Sequence, residues 1–130
     1  MIVKQVSVFV ENQKGRLVAM LEVLKANNIN MHALSVAETT DFGIVRMILS
    51  DSDKGVEVLK KANFTVKETD VLQREMPDIP GGLLETIAKP LNEAGINLEY
   101  FYAFIDPAPG KATIVVKVDN PKKAEEILDK

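Results

Sequence analysis

From Val3 to Val10 apolar and polar residues alternate, with Val6, Val8 and Val10 on one side and Gln5 and Ser7 on the other. A period of two predicts a strand covered on one face. The period then lengthens, because Leu17, Met20 and Leu24 recur at i, i+3 and i+7 and predict a helix. Two more strand-like runs follow at 30–38 and 43–49, joined by the turn-rich Thr39-Thr40-Asp41-Phe42. Asp51 or Ser52 is placed to cap a second helix over 53–62, and 64–69 reads as a closing strand.

The same order then recurs. Asn28-Ile29-Asn30 matches Gly95-Ile96-Asn97, an offset of 67 from Asn30 to Asn97, and Leu17, Met20 and Leu24 map at that offset onto Leu84, Ile87 and Leu91. The loops before these helices, Asn12-Gln13-Lys14-Gly15-Arg16-Leu17 and Asp78-Ile79-Pro80-Gly81-Gly82-Leu83, match best at an offset of 66. The second copy therefore carries one extra residue. It lies either in the Gly81-Gly82 loop or in the helix near Pro90, where a bulge would absorb it. Strand-like runs at 69–76, 97–105 and 111–118 complete the second copy. Asp106-Pro107-Ala108-Pro109-Gly110 is its turn, and Asn120-Pro121 opens its last helix.

A βαββαβ unit of this kind forms a four-stranded antiparallel sheet with two helices on one face. The expected fold class is α+β: two ferredoxin-like units in tandem, residues 1–69 and 70–130, the second lacking its last strand. That lack is expected to leave the second sheet with an open edge, which invites a second copy of the chain and a homodimer. Units of about 65 residues bury only about 60% of their unfolded surface, so the halves are expected to pack together.

The chain has 130 residues, 46% of them hydrophobic and 27% charged, enough for a core and a solvated surface. A net charge of −3 without a basic run argues against nucleic acid or an anionic membrane as partner. With no cysteine there is neither a disulfide framework nor a thiolate metal site. No apolar run approaches a bilayer-spanning length and no secretory leader is recognisable, so a cytoplasmic location is expected. Catalytic residues, a metal and a cofactor are not expected. His32 stands alone, no nucleophile is matched to a base, and Gly81-Gly82 lacks the Lys-Ser/Thr ending of a phosphate loop.

The chemistry that remains lies in the glycine loops. Glycine lets backbone approach a ligand, and the first N–H groups of a helix lack internal partners, so each loop can hold a carboxylate. Asn12-x-x-Gly15-x-Leu17 with Asn28-Ile29-Asn30, and Asp78-x-Pro80-Gly81-Gly82-Leu83 with Ala94-Gly95-Ile96-Asn97, resemble the signature of ACT domains. The resemblance covers nearly the whole chain. It implies a regulatory module that binds a small molecule, an amino acid, where two units meet. It places ligand contacts at Asn12, Lys14, Gly15, Arg16, Leu17, Asn30 and Met31 in the first copy and at Asp78, Ile79, Pro80, Gly81, Gly82, Leu83, Asn97 and Leu98 in the second. The first loop departs from the family in carrying Lys14 where proline is usual and Asn12 in place of aspartate. On this reading Arg16 or helix N–H groups hold the ligand's carboxylate and Asp78 its ammonium. With no catalytic domain in the chain, output passes through a regulated partner protein or the oligomer. The competing reading is an interaction or oligomerisation module with no small ligand.

Overall fold

The computed structural model describes residues 1–105 and 109–130, so positions 106–108 of the expected second hairpin turn lie outside the described residues. The element order is β1 (Ile2–Glu11), α1 (Arg16–Ala26), β2 (Met31–Glu38), β3 (Phe42–Leu49), α2 (Ser52–Lys61), β4 (Thr65–Pro77), a π turn (Leu84–Ala88) running into α3 (Lys89–Glu93), β5 (Leu98–Ala103), β6 (Lys111–Val118) and α4 (Pro121–Leu128). The closing strand of the first copy and the opening strand of the second are thus one continuous β4. The chain divides into two compact units, Lys4–Thr69 and Asp70–Lys130 joined by Met1–Val3.

In the first unit the strand order is β2-β3-β1-β4. Val8 stands opposite Val45 and Val6 opposite Met47, and all four are buried in a core with Met20 and Leu24 of α1 and Leu59 of α2. The predicted helical face is therefore the one that packs. Asp51, rather than Ser52, caps α2, its carboxylate accepting from the Lys54 N–H at 3.1 Å.

The second unit has the order β1-β4-β6-β5 and an equivalent core of Leu72, Ile87, Leu91, Ile114, Val116 and Ala124. Asn120 caps α4 as Asp51 caps α2, accepting from the Lys123 N–H at 3.1 Å. Its own residues end after α4 without a last strand. The open edge expected there is nonetheless corrected by the structure. Met1 and Gln73 exchange both backbone hydrogen bonds, at 2.8 and 3.3 Å, the signature of an antiparallel pair. Met1–Val3 thus occupies the place of the missing strand, and the Met1 ammonium lies 3.0 Å from Glu125 of α4. The periodicity of β1 gave no sign that its first three residues serve the other copy.

The position of the extra residue is also decided. Gly15 and Gly81 both adopt left-handed backbone, with φ of 89° and 80°, and so do Asn28 and Gly95 past the helices, at 57° and 76°. The register is therefore 66 before the helix and 67 after it. Between those points lies the π turn, in which the Lys89 N–H reaches back five residues to the Leu84 carbonyl. The helix restarts at Lys89, which puts Pro90 in its first turn, where a missing N–H leaves no gap.

Candidate functional site

Each glycine loop is shaped by its backbone. In the first, the Asn12 N–H donates to the Asp41 carbonyl at 2.9 Å, tying the loop to the β2–β3 turn, and the Gln13 N–H donates to Glu11 at 2.7 Å. Gly15 then reverses the chain, and the first helical bond runs from the Ala19 N–H to the Gly15 carbonyl at 3.0 Å. The Leu17 and Val18 N–H groups precede any acceptor four residues back within α1, and no side chain caps this end of the helix. The second loop has the same tie, from the Asp78 N–H to the Gly110 carbonyl at 3.1 Å. Gly82 is confined more tightly than Gly15, because a Cβ there would sit 2.2 Å from the Pro77 carbonyl oxygen.

Arg16 is already engaged. Its Nε donates to the Glu11 carboxylate at 2.5 Å, and its guanidinium lies 4.7 Å from the centre of the Phe64 ring. The Arg16 hydrogen bond is the main reason the Glu11 carboxyl is held below its ordinary value. Lys14 and Asp78 are exposed, as are Asn12, Leu17, Ile79, Pro80 and Gly81, whereas Leu83 packs against the second core.

Asn30 and Asn97 stand elsewhere. The Asn30 side-chain oxygen accepts from the Met31 N–H at 3.0 Å, and its own N–H donates to the Ser50 hydroxyl at 2.9 Å. Together with Met31 it lines a cleft of about 540 Å³ between α1 and the entry to β2, shared with Leu21, Leu24, Lys25 and Asn28. Asn97 and Leu98 line the equivalent cleft of the second unit, about 600 Å³, with Leu84, Ala88, Lys89 and Asn92.

In the first unit the loop and this cleft lie at opposite ends of α1, whereas in the second the cleft extends to Leu84, next to the loop residue Leu83. α1 has 11 residues, so its ends are about 16 Å apart at 1.5 Å per residue. In the first unit the sequence signature thus gathers two half-sites that one small ligand cannot bridge. Sequence reasoning also missed a notch of about 210 Å³ beside the first loop. It is lined by Val10, Asn12, Leu17, Val36, Glu38 and Val45. The chain order contained the signal for it, since in a βαββ segment the end of β2 returns to the end of the sheet where α1 begins.

The family model of the ACT domain pair matches residues 1–130. The chain belongs to this family. Among solved structures, this ACT domain pair is similar to protein BT0572 from Bacteroides thetaiotaomicron, with 41% identity over 99% of this chain and 88% of that one and a TM-score of 0.92. The regulatory subunit of aspartate kinase from Thermus thermophilus, in its ligand-free form, shares the fold at 9% identity, TM-score 0.66, over 99% and 93% of the two chains. That of Thermus flavus does so at 9% identity, TM-score 0.67, over 99% and 94%. No curated protein matches the ACT pair. Among its described residues no helix is long and apolar enough to cross a membrane, and no group of three metal-ligating side chains is present.

Proposed function

We propose that this ACT domain pair is a non-catalytic regulatory module that binds an amino acid where an ACT unit meets a unit of a second copy. The observation that carries the reading is the repetition of one cleft, at the helix end beside Asn30 and again beside Asn97. A cleft kept at the same place in two diverged copies is a feature of the site rather than an accident of packing. Each offers a lysine, two asparagine amides and aliphatic side chains, a set that suits a carboxylate, an ammonium and an apolar stem.

A second copy is needed for two reasons. The loop and cleft of the first unit are too far apart to share a ligand, so a loop from a second copy completes that site. In addition, nine heavy atoms need roughly 0.9 kcal/mol each to reach micromolar affinity, which demands enclosure that an open cleft does not give. Leu34 and its counterpart Phe101, 37% and 49% exposed on the outermost strands, offer apolar surface for such a dimer.

A thermal-shift screen against the twenty amino acids tests the reading. A ligand at 100 times its dissociation constant adds about 2.7 kcal/mol, several degrees of melting temperature. Asn97→Ala should reduce that shift with little change in the unliganded melting point, and Asn30→Ala should reduce it beyond the small loss of stability from its Met31 hydrogen bond. An absence of any shift across the screen would favour the plain interaction module.

A further inference from the structure

The notch beside the first loop differs in chemistry from the paired clefts. Its walls are the side chains of Val10, Leu17, Val36 and Val45, from β1, α1, β2 and β3. Val36 faces it because Val36 stands opposite Val45, which stands opposite Val8 of the core, so all three share the helix side of the sheet. Val36 is nevertheless 53% exposed and Leu17 42%, both high for aliphatic side chains that could have packed.

Two carboxylates stand at the rim, Glu11 and Glu38. Glu11 is held by Arg16. Among the described residues Glu38 has no cationic partner, and it closes the β2 end of the notch where β2 turns into β3. The volume, about 210 Å³, equals about seven waters at about 30 Å³ each. It lies below the roughly 300–1,000 Å³ of sites for drug-sized ligands, so a nucleotide is too large and a short aliphatic stem fits.

The second unit does not repeat this chemistry. The ties from Asn12 to Asp41 and from Asp78 to Gly110 fix the correspondence. At the matching positions stand Met76 for Val10, Pro77 for Glu11, Ala103 for Val36, Ile105 for Glu38 and Ile114 for Val45. Both carboxylates are gone and the valines of β1 and β3 are replaced by larger side chains.

We propose that the notch of the first unit is a selectivity pocket for a primary ammonium carried on a branched aliphatic stem, with Val10, Leu17, Val36 and Val45 holding the stem and Glu38 the ammonium. The pocket rests on the reading of the first loop as part of an amino-acid site and adds the class of amino acid, aliphatic and branched. It also adds a stoichiometry of one such ligand per chain. The ligand's carboxylate is left to the loop N–H groups and to the neighbouring copy.

Three probes separate the contributions: L-leucine, 3-methylbutylamine, which keeps stem and ammonium, and 4-methylpentanoate, which keeps stem and carboxylate. Methyl NMR on the full chain should show L-leucine and 3-methylbutylamine moving the Leu17, Val36 and Val45 methyl signals, with 4-methylpentanoate, which lacks the ammonium, moving them far less. Glu38→Gln should weaken 3-methylbutylamine at least tenfold and leave the unliganded melting temperature unchanged. Equal displacement of these methyls by 4-methylpentanoate, or an undiminished affinity in Glu38→Gln, overturns the pocket. Should L-leucine bind while only signals near Asn30 or Asn97 move, the pocket is wrong and the amino-acid reading survives. Should no amino acid bind at all, both fall.

Discussion

Removing the extra residue of the second copy tests the link between the π turn and Pro90. In the first copy five steps separate Gly15 from the buried Met20; in the second, six separate Gly81 from the buried Ile87. Deleting the exposed Glu85 would restore five steps and let the Lys89 N–H meet the Leu84 carbonyl in an ordinary helical bond. The same deletion moves Pro90 from the first turn of α3 into the interior of a continuous helix. An interior proline costs about 3 kcal/mol. Glu85 itself contributes little, because its pair with Lys89, 3.8 Å apart, is exposed on both sides. The single deletion should therefore lose about 3 kcal/mol in urea denaturation followed by circular dichroism. Combining it with Pro90→Val, after Val23 of the first copy, should return stability to within about 1 kcal/mol of the parent. Deleting Glu22 from α1 is the contrast. It turns Leu24, 2% exposed, about 100° away from the residues before it and out of the core, a loss of about 2–5 kcal/mol. If the double variant stays as unstable as the single deletion, the π turn does not exist to seat the proline.

Two further outcomes follow from the loops. Gly82→Ala should destabilise more than Gly15→Ala: the first drives a Cβ against the Pro77 carbonyl, whereas the second has open space and carries only the left-handed penalty of about 1–2 kcal/mol. Paired chemical denaturation would reveal a reversed order. Removing the guanidinium in Arg16→Ala should raise the Glu11 carboxyl toward 4.5, read by carbon-detected NMR titration. Because the folded value lies below the ordinary one, whatever the pair adds to stability is fully present above about pH 4.5 and fades as pH falls through the folded value.

The fold was legible because both copies obey the same periodicities: Val6 and Val8 announce a strand, and Met20 and Leu24 a helix, whichever copy is read first. The site was legible only in pieces. Glycine and asparagine spacing located the loops and the helix ends, but spacing along a chain does not tell which pieces touch, and the length of α1 keeps Gly15 and Asn30 apart. The contacts of Arg16 were not legible, because Glu11 and Phe64, five and 48 residues away, give no local sign that they hold it. The notch went unseen for a similar reason, since Val36 and Glu38 reach it through strand register rather than sequence distance. The π turn was one of two alternatives until the left-handed positions on either side of it fixed the count.

The seating of Met1–Val3 beside Gln73 has a consequence for how this polypeptide comes into being. During synthesis the leading residues emerge first and must wait for some seventy more before their permanent neighbour exists. Severing the gene at the repeat boundary would yield a front fragment with three ownerless residues and a rear fragment with a raw margin. Duplication here has left the second unit drawing its last strand from residues that precede the first.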